Sequence, residues 1–248
     1  MSSDPLAPLL NLPGVAAAAE EAAEALAAVH RHPVNLRGWD KTSRESSWRG
    51  GRSSAAMEGA TTELNREHDF DDPVMSGAIR VAQALDPDDL DREVAVFRRA
   101  PMQSLARLHS LAAAELVEPE LLGRPRDEPH IAPRLDLLGQ LVTGATSVPA
   151  AVLAAVVHGE LLALQPFEEG NGVVARAASR LVSATTGLDP HLLGVPEVTW
   201  LARLGDYREG AAVFATGDPQ ALADWIILSC QAMFAGAAEA KSIADAAR

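Results

Sequence analysis

Residues 158–180, HGELLALQPFEEGNGVVARAASR, hold the side chains whose types and spacing can do chemistry. Gln165-Pro166 ends an apolar helix, because proline disfavours helical geometry in the residue before it and cannot continue the hydrogen-bond ladder. An acidic pair, Glu168-Glu169, then leads into Gly170-Asn171-Gly172, and a second helix starts there. Glycines reach positive φ, so successive N–H groups can converge on one point. The helix that follows adds its free N–H groups and the positive end of its dipole. A diphosphate would fit such a turn, with Arg176 one helical turn further on. Taken alone, Gly-Asn-Gly is more often an ordinary turn between helices.

The surrounding residues give the turn more weight. Residues 165–176 resemble the motif of the Fic family, H-x-F-x-(D/E)-G-N-G-R-x-x-R, with Phe167, Glu169, Gly170, Asn171, Gly172 and Arg176 in register. Pro166 is also common at its position in that family. Leu108-His109, Pro196, Tyr207 and Trp225 fall where Fic proteins carry similar residues, so the resemblance covers roughly residues 100 to 235. It implies an all-α fold and transfer of AMP from ATP to a Ser, Thr or Tyr hydroxyl of a target protein. Glu169 would bind magnesium, Gly170, Asn171 and Gly172 would cradle phosphate, and Arg176 would hold the distal phosphate. Upstream, Ser54-Ala55-Ala56-Met57-Glu58-Gly59 is similar to the family's inhibitory pattern, (S/T)-x-x-x-E-(G/N). There the glutamate pairs with the second motif arginine, which makes Glu58 and Arg176 the expected couple.

Two departures change the expected chemistry. Gln165 stands at the motif histidine, where the family keeps its general base. An amide does not titrate, and a positioned base contributes roughly 10²–10⁴ in rate. Val173 replaces the first motif arginine and removes a cation whose charge-assisted contacts are the strong kind. His158 cannot replace the base, since two helical turns put it ~10 Å from Gln165 along the axis. The expectation is a nucleotide or phosphate-ester site, for ATP or a relative with magnesium, in a pseudoenzyme or regulator deficient in ordinary AMP transfer. The alternatives are an active transferase of non-standard chemistry on a protein hydroxyl, and a purely structural or interaction protein. The loop 123–132, GRPRDEPHIA, lies where Fic proteins carry a flap that docks the target by strand addition. Its prolines Pro125 and Pro129 argue against strand pairing.

The elements that must position these residues read as helices. Asp72-Pro73, Asp86-Pro87 and Asp218-Pro219 each put a capping carboxylate before a proline at the first helical position, and Pro133 and Pro149 mark further starts. Strand patterns are scarce. The expected organisation is an N-terminal helical extension over 1–99, with the inhibitory segment near 53–59, and a Fic-like core over 100–248. Within the extension, residues 15–30 form an Ala/Glu helix and helices span roughly 73–85 and 87–99. Residues 31–52 read as a polar connector in which Arg31, Arg37, Lys41, Arg44, Arg49 and Arg52 outnumber Asp40 and Glu45.

Bulk properties narrow the function classes. The 248 residues carry a net charge of −13, which disfavours binding to nucleic-acid phosphates. The lone Cys230 cannot form an internal disulfide and reads as core. The N-terminal residues lack the pattern of a secretory signal. The most apolar stretch, residues 150–164, is shorter than the ~20 residues of a membrane helix. A cytoplasmic protein without membrane or nucleic-acid partners is expected, binding a nucleotide and a protein target or partner.

Overall fold

A computed structural model describes residues 4–61 and 71–247, and they form an all-α fold with no strand among them. Among the described residues, eleven α-helices run in order: α1 Val15–His30, α2 Asn35–Met57, α3 Pro73–Ala84, α4 Leu90–Phe97, α5 Pro101–Ala112, α6 Ile131–Gln140, α7 Ala150–Leu164, α8 Asn171–Thr186, α9 Pro196–Ala202, α10 Leu204–Phe214 and α11 Pro219–Ala246.

Helix α7 is apolar on nearly all sides, Glu160 aside, and its residues Ala151 to Gly159 are all buried. It lies at the centre, packed against α8, α11, α10, α1 and α6. A helix without a polar face has no side to offer water, so the middle of the bundle is its stable position. The core is continuous, from Val15 on α1 through Leu108, Val157 and Leu181 to Ala240 on α11. Helix α1 packs against α11, while α2 packs against α3 and α9.

Helix α11 has 28 residues. It is the one helix among the described residues long and apolar enough, by length and composition, to cross a bilayer, and half of its apolar window is buried within the protein. Trp225, Ile226, Cys230 and Met233 form that buried side. Burial pushes the Cys230 thiol up to about 12.

Asp72 caps α3 by accepting from the N–H groups of Val74 and Met75, and Asp218 caps α11 through Gln220 and Ala221. Asp86 does not cap: α4 begins at Leu90, and the Asp86 carboxylate faces Arg44 on α2 instead.

The basic stretch over 31–52 is not a connector. It lies mostly within α2, a helix of 23 residues with a kink at Gly38. Its buried stripe is Ser43, Ser46, Ser47, Gly50, Ser54 and Met57. Serine and glycine favour loops by local propensity, so only packing against α3 and α9 makes this segment helical. The small stripe also lets α2 come close: a Cβ on Gly51 would lie 2.9 Å from that of Ala82. Basic residues of α2 pair with acids of neighbouring elements, Arg44 with Asp88 at 2.8 Å and Arg49 with Glu239.

Candidate functional site

Helix α7 stops at Leu164 because Pro166 cannot continue it, and Gln165 takes a left-handed cap conformation (φ 45°). The chain returns through Phe167, Glu168 and Glu169 to Gly170, which caps α8 at φ 72°. Side chains with a Cβ rarely adopt that φ, so the turn needs glycine there. Asn171 closes the loop from within. Its amide oxygen accepts from the Phe167 N–H at 2.9 Å, and its amide nitrogen donates to the Phe167 carbonyl at 2.8 Å. Phe167 is buried and stacks on His109 at 4.0 Å. His109 Nδ1 accepts from the Gly123 N–H at 2.9 Å, which ties the 123–130 loop to the turn. Burial lowers the His109 pKa, in keeping with an imidazole that works as a neutral acceptor.

The 123–130 loop forms no strand. The Arg126 N–H donates to the Pro166 carbonyl at 2.8 Å, and the Arg126 guanidinium donates to the Gln165 carbonyl at 2.8 and 3.0 Å. A cation at the C-terminal end of α7 answers the negative end of the helix dipole.

Beside this turn lies a cleft of about 580 Å³. Glu58, Gln165, Glu169, Asn171, Gly172 and Arg176 all line it. Gly170 supplies the bend beneath them. The expected site residues therefore share one place. Val173 does not face the cleft. It is buried, and it lines a small gap between α2, α3 and α8.

Arg176 sits at the bottom, 1 % exposed. Its Nε donates to Ser54 Oγ at 2.8 Å, Nη2 to the Ser54 carbonyl at 3.1 Å and to Glu58 Oε1 at 2.6 Å, and Nη1 to the Tyr207 hydroxyl at 3.1 Å. Burial works against its charge, but Tyr207 and Glu58 outweigh it and the pKa is raised. Guanidinium only donates, so Tyr207 accepts from it and must give its own proton to His158 Nε2, 2.9 Å away. That assigns the Nδ1–H tautomer to His158. Its pKa is pushed well below the usual range, by burial first and by the Arg176 charge second. Trp200 and Trp225 flank the ring at 4.6 and 5.2 Å.

Glu58 caps the C-terminus of α2 and is 36 % exposed at its side chain. Its carboxylate lies against Gly172 at the start of α8, so closely that a Cβ there would collide with it. Sequence reasoning did not single out Arg208, which lines the same cleft from α10, or Arg126. Neither falls in any local pattern that marks it.

No protein-family model and no curated protein matches this chain. Among solved structures, a Fic family protein from Desulfovibrio desulfuricans G20 aligns with TM-score 0.65 and 18 % identity, covering 93 % of this chain and 74 % of that one. A fragment of Fic-1 from C. elegans aligns with TM-score 0.72 and 16 % identity, covering 95 % of this chain and 76 % of that one. With its helices arranged as in these two proteins over nearly its whole length, the chain has the fold of Fic family proteins.

Proposed function

We propose that this is a cytoplasmic Fic-fold protein that binds a nucleotide or related phosphate ester at the Gly170–Gly172 turn, is gated by Glu58, and lacks ordinary AMP transfer. One observation carries the reading. The Glu58 carboxylate sits against the N-terminus of α8 at Gly172 and on Arg176 at 2.6 Å. A helix N-terminus beside a guanidinium is a place for an anion, and here the chain's own carboxylate fills it.

The chemistry beside that site supports loss of transfer. Gln165 lines the cleft where the resemblance puts a base, and its amide cannot take a proton. Among the described residues, no histidine lines the cleft. His158 is fully buried and already accepts from Tyr207. Glu169 is exposed on the cleft rim, and no group of three His, Cys, Asp or Glu side chains among the described residues forms a metal cage. That donor set suits a magnesium ion held between one carboxylate and ligand phosphates, as magnesium commonly is. The protein would then act on a partner through its liganded state.

A second reading, a structural or interaction protein, has its own observation. Three of the four hydrogen bonds of Arg176 go to Ser54 and Tyr207, so the arginine also ties α2, α8 and α10 together without any ligand.

A thermal-shift series separates the two, using ATP, ADP, AMP and pyrophosphate with and without magnesium on wild type and Glu58→Gly. The nucleotide reading expects a larger shift in Glu58→Gly than in wild type. Saturation at 100 times Kd corresponds to about 2.7 kcal/mol. No shift in either protein with any ligand would leave the structural reading.

A further inference from the structure

The motif resemblance leaves the cleft one cation short, because Val173 is apolar and points into the α2–α3 packing. The fold brings a different cation to the cleft. Arg208 follows Tyr207 on α10, is exposed, and lines the same cleft as the glycine turn. Its Nη2 donates to the Met57 carbonyl at 2.9 Å. Met57 is the last residue of α2, and Glu58 is its cap. Two arginines from two helices therefore hold the end of α2. Arg176 takes the Ser54 oxygens and the Glu58 carboxylate, and Arg208 takes the carbonyl just before Glu58.

We propose that Arg208 is a second phosphate-binding cation of this cleft, and that taking a ligand phosphate makes it release the Met57 carbonyl and with it the Glu58 gate. The proposal rests on reading the cleft as a nucleotide site. Its physical basis is an exchange of acceptors. A main-chain carbonyl offers one neutral acceptor, whereas a phosphate offers charged oxygens and bidentate contact, which guanidinium prefers. The bond to Met57 uses one of five guanidinium donors. Once the carbonyl is released, the end of α2 keeps its Arg176 anchor and the buried Ala55 and Met57 side chains, while the exposed Glu58 loses one of its two arginine tethers. Gly59 follows Glu58 at φ 97°, and among the described residues nothing crowds its Cβ position, so the gate residue adjoins a point where the backbone can turn. The ligand class follows from the layout. One phosphate would fill the cradle at Gly172 and Arg176 that Glu58 now occupies, and Arg208, which lines the same cleft beside the end of α2, would meet the next one. The site is thus built for a diphosphate or longer chain.

The test is calorimetric binding of pyrophosphate and of inorganic phosphate, with magnesium, to wild type, Glu58→Gly, Arg208→Ala, Arg208→Lys and the Glu58→Gly/Arg208→Ala double variant. In the Glu58→Gly background, Arg208→Ala should weaken pyrophosphate about tenfold or more, the effect of one lost charged hydrogen bond, and weaken inorganic phosphate clearly less. Arg208→Lys should fall between. In the wild-type background the loss should be smaller, because removing Arg208 also frees the gate. If Glu58→Gly binds pyrophosphate and the double variant binds it equally well, Arg208 is only a helix cap and the proposal is overturned, while the nucleotide reading stands. Equal losses in both backgrounds would overturn the gate release alone. If no variant binds either probe, the proposal and the nucleotide reading fall together. Melting temperatures without ligand show whether any loss of binding comes from unfolding.

Discussion

Arg176 and Arg180 stand one turn apart on α8, and each meets a glutamate from another helix, but the two pairs live in different surroundings. Arg180 donates to Glu197 at 3.1 Å and to the carbonyls of Gly194 and Leu192 at 3.0 and 2.9 Å. The side chain of Glu197 is 3 % exposed, whereas that of Glu58 is 36 % exposed. Glu197 is sealed by α2, where a Cβ on Gly50 would lie 3.1 Å from its Oε2. Glu58 lines a cleft of about 580 Å³ and sits in it on Arg176 and Gly172. The same chemical pair is thus a lock in one place and a plug in the other. What separates them is whether water and an incoming anion can reach the carboxylate. In the first case an anion would have to unfold the helix contact, and in the second it has only to displace one side chain.

The largest effect should come from breaking the sealed pair. Glu197→Ala leaves the Arg180 charge buried with only carbonyl partners, and such losses cost roughly 3–5 kcal/mol. Urea denaturation would show it, and a cost near zero would remove the contrast. Next comes the link between the plug and the core. Tyr207→Phe deprives both Arg176 Nη1 and His158 Nε2 of a partner, at about 1–3 kcal/mol in the same assay. Glu58→Gln should cost less, about 1 kcal/mol, because the lost ion pair is partly solvated. Unlike Glu197→Ala, it should raise the thermal shift given by pyrophosphate.

The mildest probe is acid, which should reach the two regions in separate windows. His158 beside the Arg176 network has its folded pKa depressed below 6.5 by burial. The unfolded chain takes up that proton first, so stability falls as pH drops below about 6.5. His109, beside the glycine turn and also lowered by burial, adds to this slope. Asp189, near Arg180, titrates lower. Burial would raise its pKa, but His30, the Gly194 N–H and Arg180 prevail and lower it from 3.8. Its contribution holds above that value and is lost only as pH falls through the folded pKa. Melting curves from pH 7.5 to 3 should show the first decline, and His158→Gln should flatten it. An unchanged slope in that variant would place the proton uptake elsewhere.

The site was legible where it is local. Pro166 stops α7, Gly170 supplies the left-handed cap, and α8 starts at Asn171, all within a few residues. Most of helix α2 was not legible, since its buried stripe is made of serines and glycines, which are small and polar and have low helical propensity, so it did not stand out as an apolar face. The same stripe at helical spacing is the signal that a search for small residues would have found. The Asp86 cap failed for a related reason, because an acid that reads as a helix start was claimed by Arg44 from another helix. The pairing of Glu58 with Arg176 was expected from a resemblance to a known motif rather than from the residues' own spacing.

By itself, then, the sequence determined the all-α class, the central place of α7, and a glycine turn able to bind an anion. Each follows from steric rules or from the polarity of a single helix, and these act over a few residues. The tertiary structure decided what occupies that turn. Glu58 and Arg176 are 118 residues apart, and Arg208 and Met57 are 151 apart. Contacts over such separations exist only after α2, α8 and α10 have packed, because burial of their apolar and small faces fixes where the charged ends lie.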